Sequence, residues 1–247
     1  MIKSAMVLAA GFGKRMLPLT QTTPKPLLEV GGKPMLGWVL DHLKEAGVEN
    51  VCVNGHYLGN QIKSFVESYE GLNLEFVAEE DILETGGGVR NMLLAKPDWF
   101  SDPFFVLNSD SLWLNGPQPT LEIMANFWDS EKMDSLVGLA ETIRNKDEHS
   151  PGDFFLEPDN SMRRRYEQEV TPYLYMGVHI WHPRAYEKTK VENFSINKVW
   201  DQAEEDGNLY GILHEGSWFH VGTPRQLQVA QEKLEKMQTS KSLNSDK

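Results

Sequence analysis

A chain of 247 residues can form one large α/β domain with a sizeable core. Its formal net charge of -12 argues against a broad nucleic-acid surface, which needs an excess of Lys and Arg, but leaves room for a small basic phosphate site. A single cysteine, Cys52, excludes an internal disulfide and a cysteine-built zinc site, and no apolar run reaches the length of a membrane span.

The short apolar N-terminus runs quickly into Lys14 and Arg15, so it reads as a first strand and not as a leader. A reducing, cytoplasmic setting is expected. Ser4–Ala9 predicts that strand, and a Gly- and Pro-rich loop follows to Gly32. Helical spacing of Leu36, Val39, Leu40 and Leu43 predicts a helix from Pro34 to Ala46, stopped at Gly47. Val51–Val53 predicts the second strand. Behind it, Leu58, Ile62, Phe65, Val66 and Tyr69 recur at helical spacing. Leu74–Ala78 predicts a third strand, Gly88–Ala95 a short helix and Phe104–Leu107 a fourth strand. This order implies an α/β fold with a mostly parallel sheet and helices on both faces. Ligands of such sheets bind beyond the carboxyl ends of the strands, so Gly11, Glu79 and Asp110 should converge on one crevice.

The second half is less regular. Ser135–Ala140, Asp153–Leu156 and Tyr173–Trp181 predict strands, Ser195 caps a helix to about Glu205, and Leu209–His214 predicts a late strand. Thr223–Pro224 starts a helix with Leu227, Ala230, Leu234 and Met237 as its buried stripe. Neither a repeat nor a composition break divides residues 1–237, which are expected to form a single domain. The Ser-, Lys- and Asn-rich residues 238–247 are expected to form a disordered tail.

The most informative segment runs from Leu8, Ala9 and Ala10 through Gly11, Gly13, Arg15, Pro18, Leu19 and Thr20 to Pro24-Lys25-Pro26. Glycines directly after a strand let backbone N–H groups approach phosphate oxygens. Arg15 can grip a phosphate with two donors and Lys25 adds a point charge. The prolines stiffen a loop that would otherwise lose much entropy on ordering. A dinucleotide fingerprint fails because Met16 stands at the third glycine, and a P-loop fails because Pro34 follows Gly32-Lys33. The bland alternative is a rigid surface loop with solvated charges, which the full set of residues makes the weaker reading.

This segment resembles the signature of the sugar-nucleotide pyrophosphorylases. The resemblance runs nearly the length of the chain and is densest before residue 115. It implies a Rossmann-like nucleotidyltransferase fold (glycosyltransferase-A-like) with a mixed, mostly parallel sheet. It also implies an enzyme that joins a sugar 1-phosphate to a nucleoside triphosphate with Mg2+, releasing pyrophosphate. On this chain, Leu8, Ala10, Gly11 and Gly13 would then bind the nucleotide, while Arg15 and Lys25 steady the reacting phosphates.

Glu79 could accept a hydrogen bond from a base N–H, or belong with Glu80 and Asp81 to a solvated acidic turn. The string Leu83-Glu84-Thr85-Gly86-Gly87-Gly88 resembles a subgroup of the family, the N-acetylmuramate 1-phosphate uridylyltransferases of peptidoglycan recycling. Mannose 1-phosphate guanylyltransferases more often carry Gly at the Glu84 position. The resemblance implies that Glu79 faces the base and that Thr85 and Gly86 line the pocket.

Asp110, after Asn108-Ser109 at a strand end, is either an Mg2+ ligand or a turn cap. The resemblance implies the metal role, with UTP as the donor nucleotide. The family's second metal Asp falls on His220 in Trp218-Phe219-His220-Val221-Gly222-Thr223, so His220 is a substituted ligand or a strand residue bonded locally. The family's Glu-Lys-Pro string for the sugar phosphate is missing. Arg163-Arg164-Arg165 either replaces it or forms a charged loop. Asn108, Asp153 and Gly177 are the sugar-side candidates by resemblance. Two other readings stay open, a mannose 1-phosphate guanylyltransferase and a sugar-nucleotide-binding regulatory subunit without turnover. Expected partners are the nucleoside triphosphate and the sugar 1-phosphate, with no nucleic acid and no membrane; the oligomeric state is open.

Overall fold

The computed structural model describes residues 1–144 and 150–245, with side chains to residue 237. In chain order, β1 (Ser4–Leu8) leads into the long loop, which ends in a small hairpin of β2 (Glu29–Val30) and β3 (Lys33–Pro34). Then come α1 (Met35–Glu45), β4 (Asn50–Gly55), α2 (Gly59–Ser68), β5 (Asn73–Ala78), α3 (Glu84–Ala95) and β6 (Phe104–Asn108). The second half holds β7 (Leu112–Leu114), α4 (Thr120–Phe127), β8 (Ser135–Glu141), β9 (Phe154–Leu156), β10 (Met162–Arg164) and β11 (Tyr173–Trp181). It closes with α5 (Asn197–Glu205), β12 (Leu209–Leu213), β13 (Ser217–Phe219) and α6 (Pro224–Ser245).

Nine strands form the main sheet in the order β10-β9-β11-β6-β1-β4-β5, with β8 pairing β11 and β12. The β6-β1-β4-β5 part is parallel. β11 runs antiparallel to β6, β8 and β9, so β8 and β9 share the direction of β6, as does β12, which pairs parallel with β8; only β11 and β10 are reversed. Chain order also reverses at β1, with β4 and β5 on one side and β6 on the other. That is the switch point where an open α/β sheet leaves a crevice beyond its carboxyl ends.

Strand alternation explains why helices cover both faces. Ala5 and Val7 of β1 and Val51 and Val53 of β4 pack with Leu36, Val39 and Leu40 of α1, Ile62 of α2, and Leu121 and Met124 of α4. Met6 and Cys52, between them in sequence, face the opposite side with Val89 and Met92 of α3 and Val199 and Trp200 of α5. Burial pushes the Cys52 thiol up to about 12, which suits a packing residue and not a nucleophile. A third cluster joins Ala230 and Leu234 of α6 to Met16, Val30 and Met35, so the last helix braces the base of the long loop. Gln231 accepts a hydrogen bond from the Gly31 N–H at 2.6 Å at the same place.

Several expectations are revised. Met237 is exposed, so the buried stripe of α6 ends at Leu234. The α6 backbone continues to Ser245, through the segment whose composition predicts a tail, and residues 246–247 lie outside the described residues. α3 begins at Glu84, before the predicted Gly88, because tertiary contacts hold a glycine run that propensity alone disfavours. β7 and β13 pair across the chain but are three residues each, too short for a periodic signal. No helix among the described residues is long and apolar enough to cross a membrane.

Candidate active site

The carboxyl ends of three adjacent strands are tied together by side chains. At the end of β1 the Ala9 N–H donates to Asn54 Oδ1 at 2.6 Å, and Asn54, in β4, donates from Nδ2 to Glu79 Oε1 at 2.6 Å. Glu79, just past β5, takes a second bond on Oε2 from the Leu83 N–H at 3.1 Å. Glu79 is buried, and burial raises its pKa against the opposing pull of the Leu83 N–H and the Asn54 amide. Glu79 does not itself border the cavity; it holds Asn54, which does.

The cavity lies beyond β1 and β6 and measures about 400 Å³, within the rough 300–1,000 Å³ range of small-molecule sites. Leu8, Ala10, Gly11, Gly13, Lys25, Thr85, Asn108 and Asp110 all border it. Gly13 sits at φ +62°, and a Cβ there would stand 2.9 Å from Thr20 Cγ2 and 3.2 Å from Lys25 Cβ. Its carbonyl accepts from Thr20 Oγ1 at 2.9 Å and from the Met16 N–H at 2.9 Å, so the turn is closed upon itself. Gly11 borders the cavity and has open space where a Cβ would project. Lys25 and Asp110 form an ion pair at the cavity wall, with side chains 14% and 33% exposed. Arg15 lies in the turn Lys14–Met16, is exposed, does not border the cavity, and forms no hydrogen bond or ion pair with the described residues.

The glycine run at the start of α3 packs against residues 192–194. Gly86 and Gly87 both donate their N–H groups to the Phe194 carbonyl, at 3.0 and 3.2 Å. A Cβ on Gly86 would overlap the Phe194 ring, and one on Gly87 the Glu192 carbonyl oxygen. These glycines admit a protein segment, and Gly86 is not on the cavity wall. Thr85 is, and its Oγ1 accepts from the Ile196 N–H at 2.9 Å.

On the other flank, Asn108 borders the cavity, but Gly177 and Asp153 do not. Gly177 is buried at φ +82°, at the irregularity between Tyr175 and His179 in the β8–β11 pairing. Its carbonyl accepts from Ser111 Oγ at 3.1 Å, and a Cβ would collide with that hydroxyl. It makes room for Ser111, with Asn108 also close by. Asp153 is held by the Tyr175 N–H at 2.8 Å. Loss of hydration raises its carboxyl pKa, while the Tyr175 N–H, Arg165, Arg164 and His220 pull it down. His220 thus belongs with Asp153 and Trp218, whose ring centroid lies 5.7 Å away, and does not border the cavity of Asp110. The three arginines are engaged within the protein. Arg163 grips Glu169 at 2.7 and 2.9 Å, Arg164 pairs with Asp201, and Arg165 donates to the Gly152 carbonyl at 3.0 Å.

With this geometry in place, the whole chain can be compared with known proteins. The family model for nucleotidyl transferases matches residues 4–237. The chain belongs to that family. This nucleotidyltransferase is 37% identical over 237 residues to an N-acetylmuramate alpha-1-phosphate uridylyltransferase of Caulobacter vibrioides, covering 94% of this chain and 97% of that one. A protein of the same name from Neisseria meningitidis serogroup B is 35% identical, over 92% and 96% of the two chains. In fold, the nucleotidyltransferase is similar to a UDP-glucose pyrophosphorylase solved with UDP-glucose, with TM-score 0.78 and 19% identity over 96% of this chain and 100% of that one.

The nucleotidyltransferase cavity also uses residues that carried no site role in the sequence. Asn54, Ile82, Ser109 and Ser195 border it, as do Pro26 and Glu84. Asn54 had a visible signal, an amide ending an otherwise apolar strand. Ser195 was legible only as a helix cap, a role it also plays by accepting from the Asn197 N–H at 3.3 Å.

Proposed function

We propose that this nucleotidyltransferase transfers a uridylyl group from UTP to N-acetylmuramate α-1-phosphate and releases pyrophosphate. The observation that carries the reaction is the Lys25–Asp110 pair and the Gly11–Gly13 turn sharing one cavity at the sheet's switch point. The choice of substrates rests on the Caulobacter relative, whose likeness extends across nearly the full length of both chains.

The turn receives the triphosphate through backbone N–H groups, and Lys25 meets the incoming negative charge. When phosphates arrive, Lys25 can leave Asp110 for them without crossing the site. Arg15 swings in to stabilise charge that develops as pyrophosphate leaves. The sugar phosphate oxygen is already ionised at neutral pH, so it attacks the α-phosphorus in line without a strong general base. The residues mainly position two anions and screen their repulsion.

Asp110 suits Mg2+, being a hard carboxylate on the cavity wall beside the phosphate turn. Among the described residues no group of three or more His, Cys, Asp or Glu could hold a metal alone, so substrate phosphates would complete the coordination. Bound there, Mg2+ would supply charge neutralisation at the α-phosphoryl oxygen. A nucleoside triphosphate donor and a single buried thiol both fit a cytoplasmic setting.

The test is pyrophosphate release with Mg2+, offering UTP or GTP against N-acetylmuramate 1-phosphate, N-acetylglucosamine 1-phosphate and mannose 1-phosphate. Release with UTP and the muramate acceptor is expected. Release confined to GTP and mannose 1-phosphate would overturn the substrates and keep the reaction. Tight nucleotide binding with no release from any pair would overturn the reaction itself.

A further inference from the structure

Three non-glycine residues occupy the left-handed backbone region, Leu58 at φ 51°, Glu84 at φ 56° and Asn160 at φ 67°. Asparagine tolerates that conformation, whereas a leucine or a glutamate is strained by its Cβ. Leu58 precedes α2, away from the cavity, and Glu84 is the one of the three that borders it. The arrangement inverts what the backbone asks for. Glycines stand at 86 and 87, where packing against residues 192–194 requires them, while a glutamate stands at the position whose dihedral requires a glycine.

Nothing in the fold explains that glutamate. Glu84 is exposed and forms no hydrogen bond or ion pair with the described residues, so its carboxylate does not hold the turn together. Strain kept at a cavity wall without a structural return points to a ligand contact. The position limits which ligand group this can be. Gly13, Lys25 and Asp110 mark the phosphate end of the cavity, toward β6. Glu84 and Ile82 follow β5 and Asn54 lies in β4, strands on the other side of β1 from β6. A second carboxylate among phosphates would repel them; on the β4–β5 side it can accept hydrogen bonds from a neutral donor.

We infer that Glu84 is a specificity-determining residue whose carboxylate accepts a hydrogen bond from a donor of the nucleoside, either the base imide N–H or a ribose hydroxyl. This rests on the nucleotidyltransferase reading above and adds a role for a residue which that reading leaves idle.

The experiment compares the full-length protein with its E84G and E84Q variants. Thermal unfolding is measured first, then kcat/KM for UTP, 2′-deoxy-UTP and N3-methyl-UTP with the acceptor that supports release. Removing the left-handed strain should raise the Tm of E84G by about 2–4 °C. The same variant should lose roughly tenfold or more in kcat/KM for UTP, the size of a lost hydrogen bond to a charged group. Its preference for UTP should collapse toward one analogue, and which one names the donor: the deoxy analogue a hydroxyl, the methylated one the base. E84Q, which keeps an acceptor oxygen, should fall between. A stabilised E84G with unchanged kcat/KM and unchanged discrimination against both analogues would overturn the inference. So would a loss of activity accompanied by a fall in Tm, which would make Glu84 a fold residue. If the parent protein releases no pyrophosphate from any pair, the function reading has failed on its own. UTP binding by calorimetry then decides Glu84: about tenfold weaker binding by E84G upholds the contact, and equal binding removes it.

Discussion

The two halves of the sheet bury polar groups in opposite ways. In the parallel half, Asn54 and Glu79 are buried and fully engaged, and their bonds lock the ends of β1, β4 and β5 into one rim. In the antiparallel half, Tyr175, His179, Trp181, Tyr186 and Trp200 form a buried aromatic cluster with ring centroids 5.0–5.7 Å apart. There His179 Nε2, Trp181 Nε1, Tyr186 OH and Trp200 Nε1 have no hydrogen-bond partner among the described residues. The first half uses polar groups to aim backbone at a ligand. The second relies on packing of large rings and tolerates unsatisfied atoms, which cost stability but place nothing. Cavity-wall residues accordingly come almost wholly from the parallel half and its loops.

The largest test of this contrast sets one cation against another. Lys25→Ala removes the charge that faces both Asp110 and the incoming phosphates, and kcat should fall on the order of 10²–10³-fold. Arg163→Ala removes a guanidinium of the other half that is spent on Glu169, and neither kcat nor the KM for the sugar phosphate should change measurably. Steady-state pyrophosphate release measures both. A large KM effect at Arg163 would return the arginine run to the phosphate site and break the contrast.

Glycines divide in the same manner. Gly87→Ala pushes a methyl group into the Glu192 carbonyl, and should destabilise the fold by about 1–3 kcal/mol as overpacking does, lowering Tm. Gly11→Ala meets nothing within 4 Å and should leave Tm unchanged while weakening UTP binding, because its methyl group enters the space of the triphosphate. Thermal melts with and without UTP separate the two. Equal melts for both variants would show that one glycine run does the work assigned to the other.

This contrast also decides what could be read in advance. The phosphate turn is contiguous, and its function and geometry are set by neighbours in sequence, so Gly11, Gly13, Lys25 and Asp110 were legible along with the parallel strands. The positions of Glu79 and Gly86 were visible, but their protein contacts, with residues 54 and 194, were not. The same holds for Gly177, whose neighbour Ser111 lies 66 residues away. Glu84 was seen only as one residue of a matching string, because a left-handed dihedral has no sequence signal when the residue is not glycine. The antiparallel half gave up its strands but not its pairing, which long-range contacts set.

A smaller effect, graded by pH, probes the second half alone. Burial lowers the His179 pKa from 6.5 to about 3, with Tyr175 OH 2.7 Å from its Nδ1. Between those values the unfolded chain takes up a proton that the folded chain refuses, so protons favour unfolding throughout that window. The contribution of His179 is therefore fully present above pH 6.5 and declines as pH falls toward 3, by at most about 1.4 kcal/mol per pH unit. Burial lowers His42, His182 and His214 as well, which steepens the decline in the same direction. Urea midpoints measured from pH 7 to pH 4.5 should fall steadily in the parent protein. His179→Gln, which cannot titrate, should flatten that decline by one proton's worth while leaving the slope from the other histidines. An identical pH dependence in parent and variant would mean that the ring is protonated within the fold. The aromatic cluster would then be holding a charge, and the second half would bury polar groups on the same terms as the first.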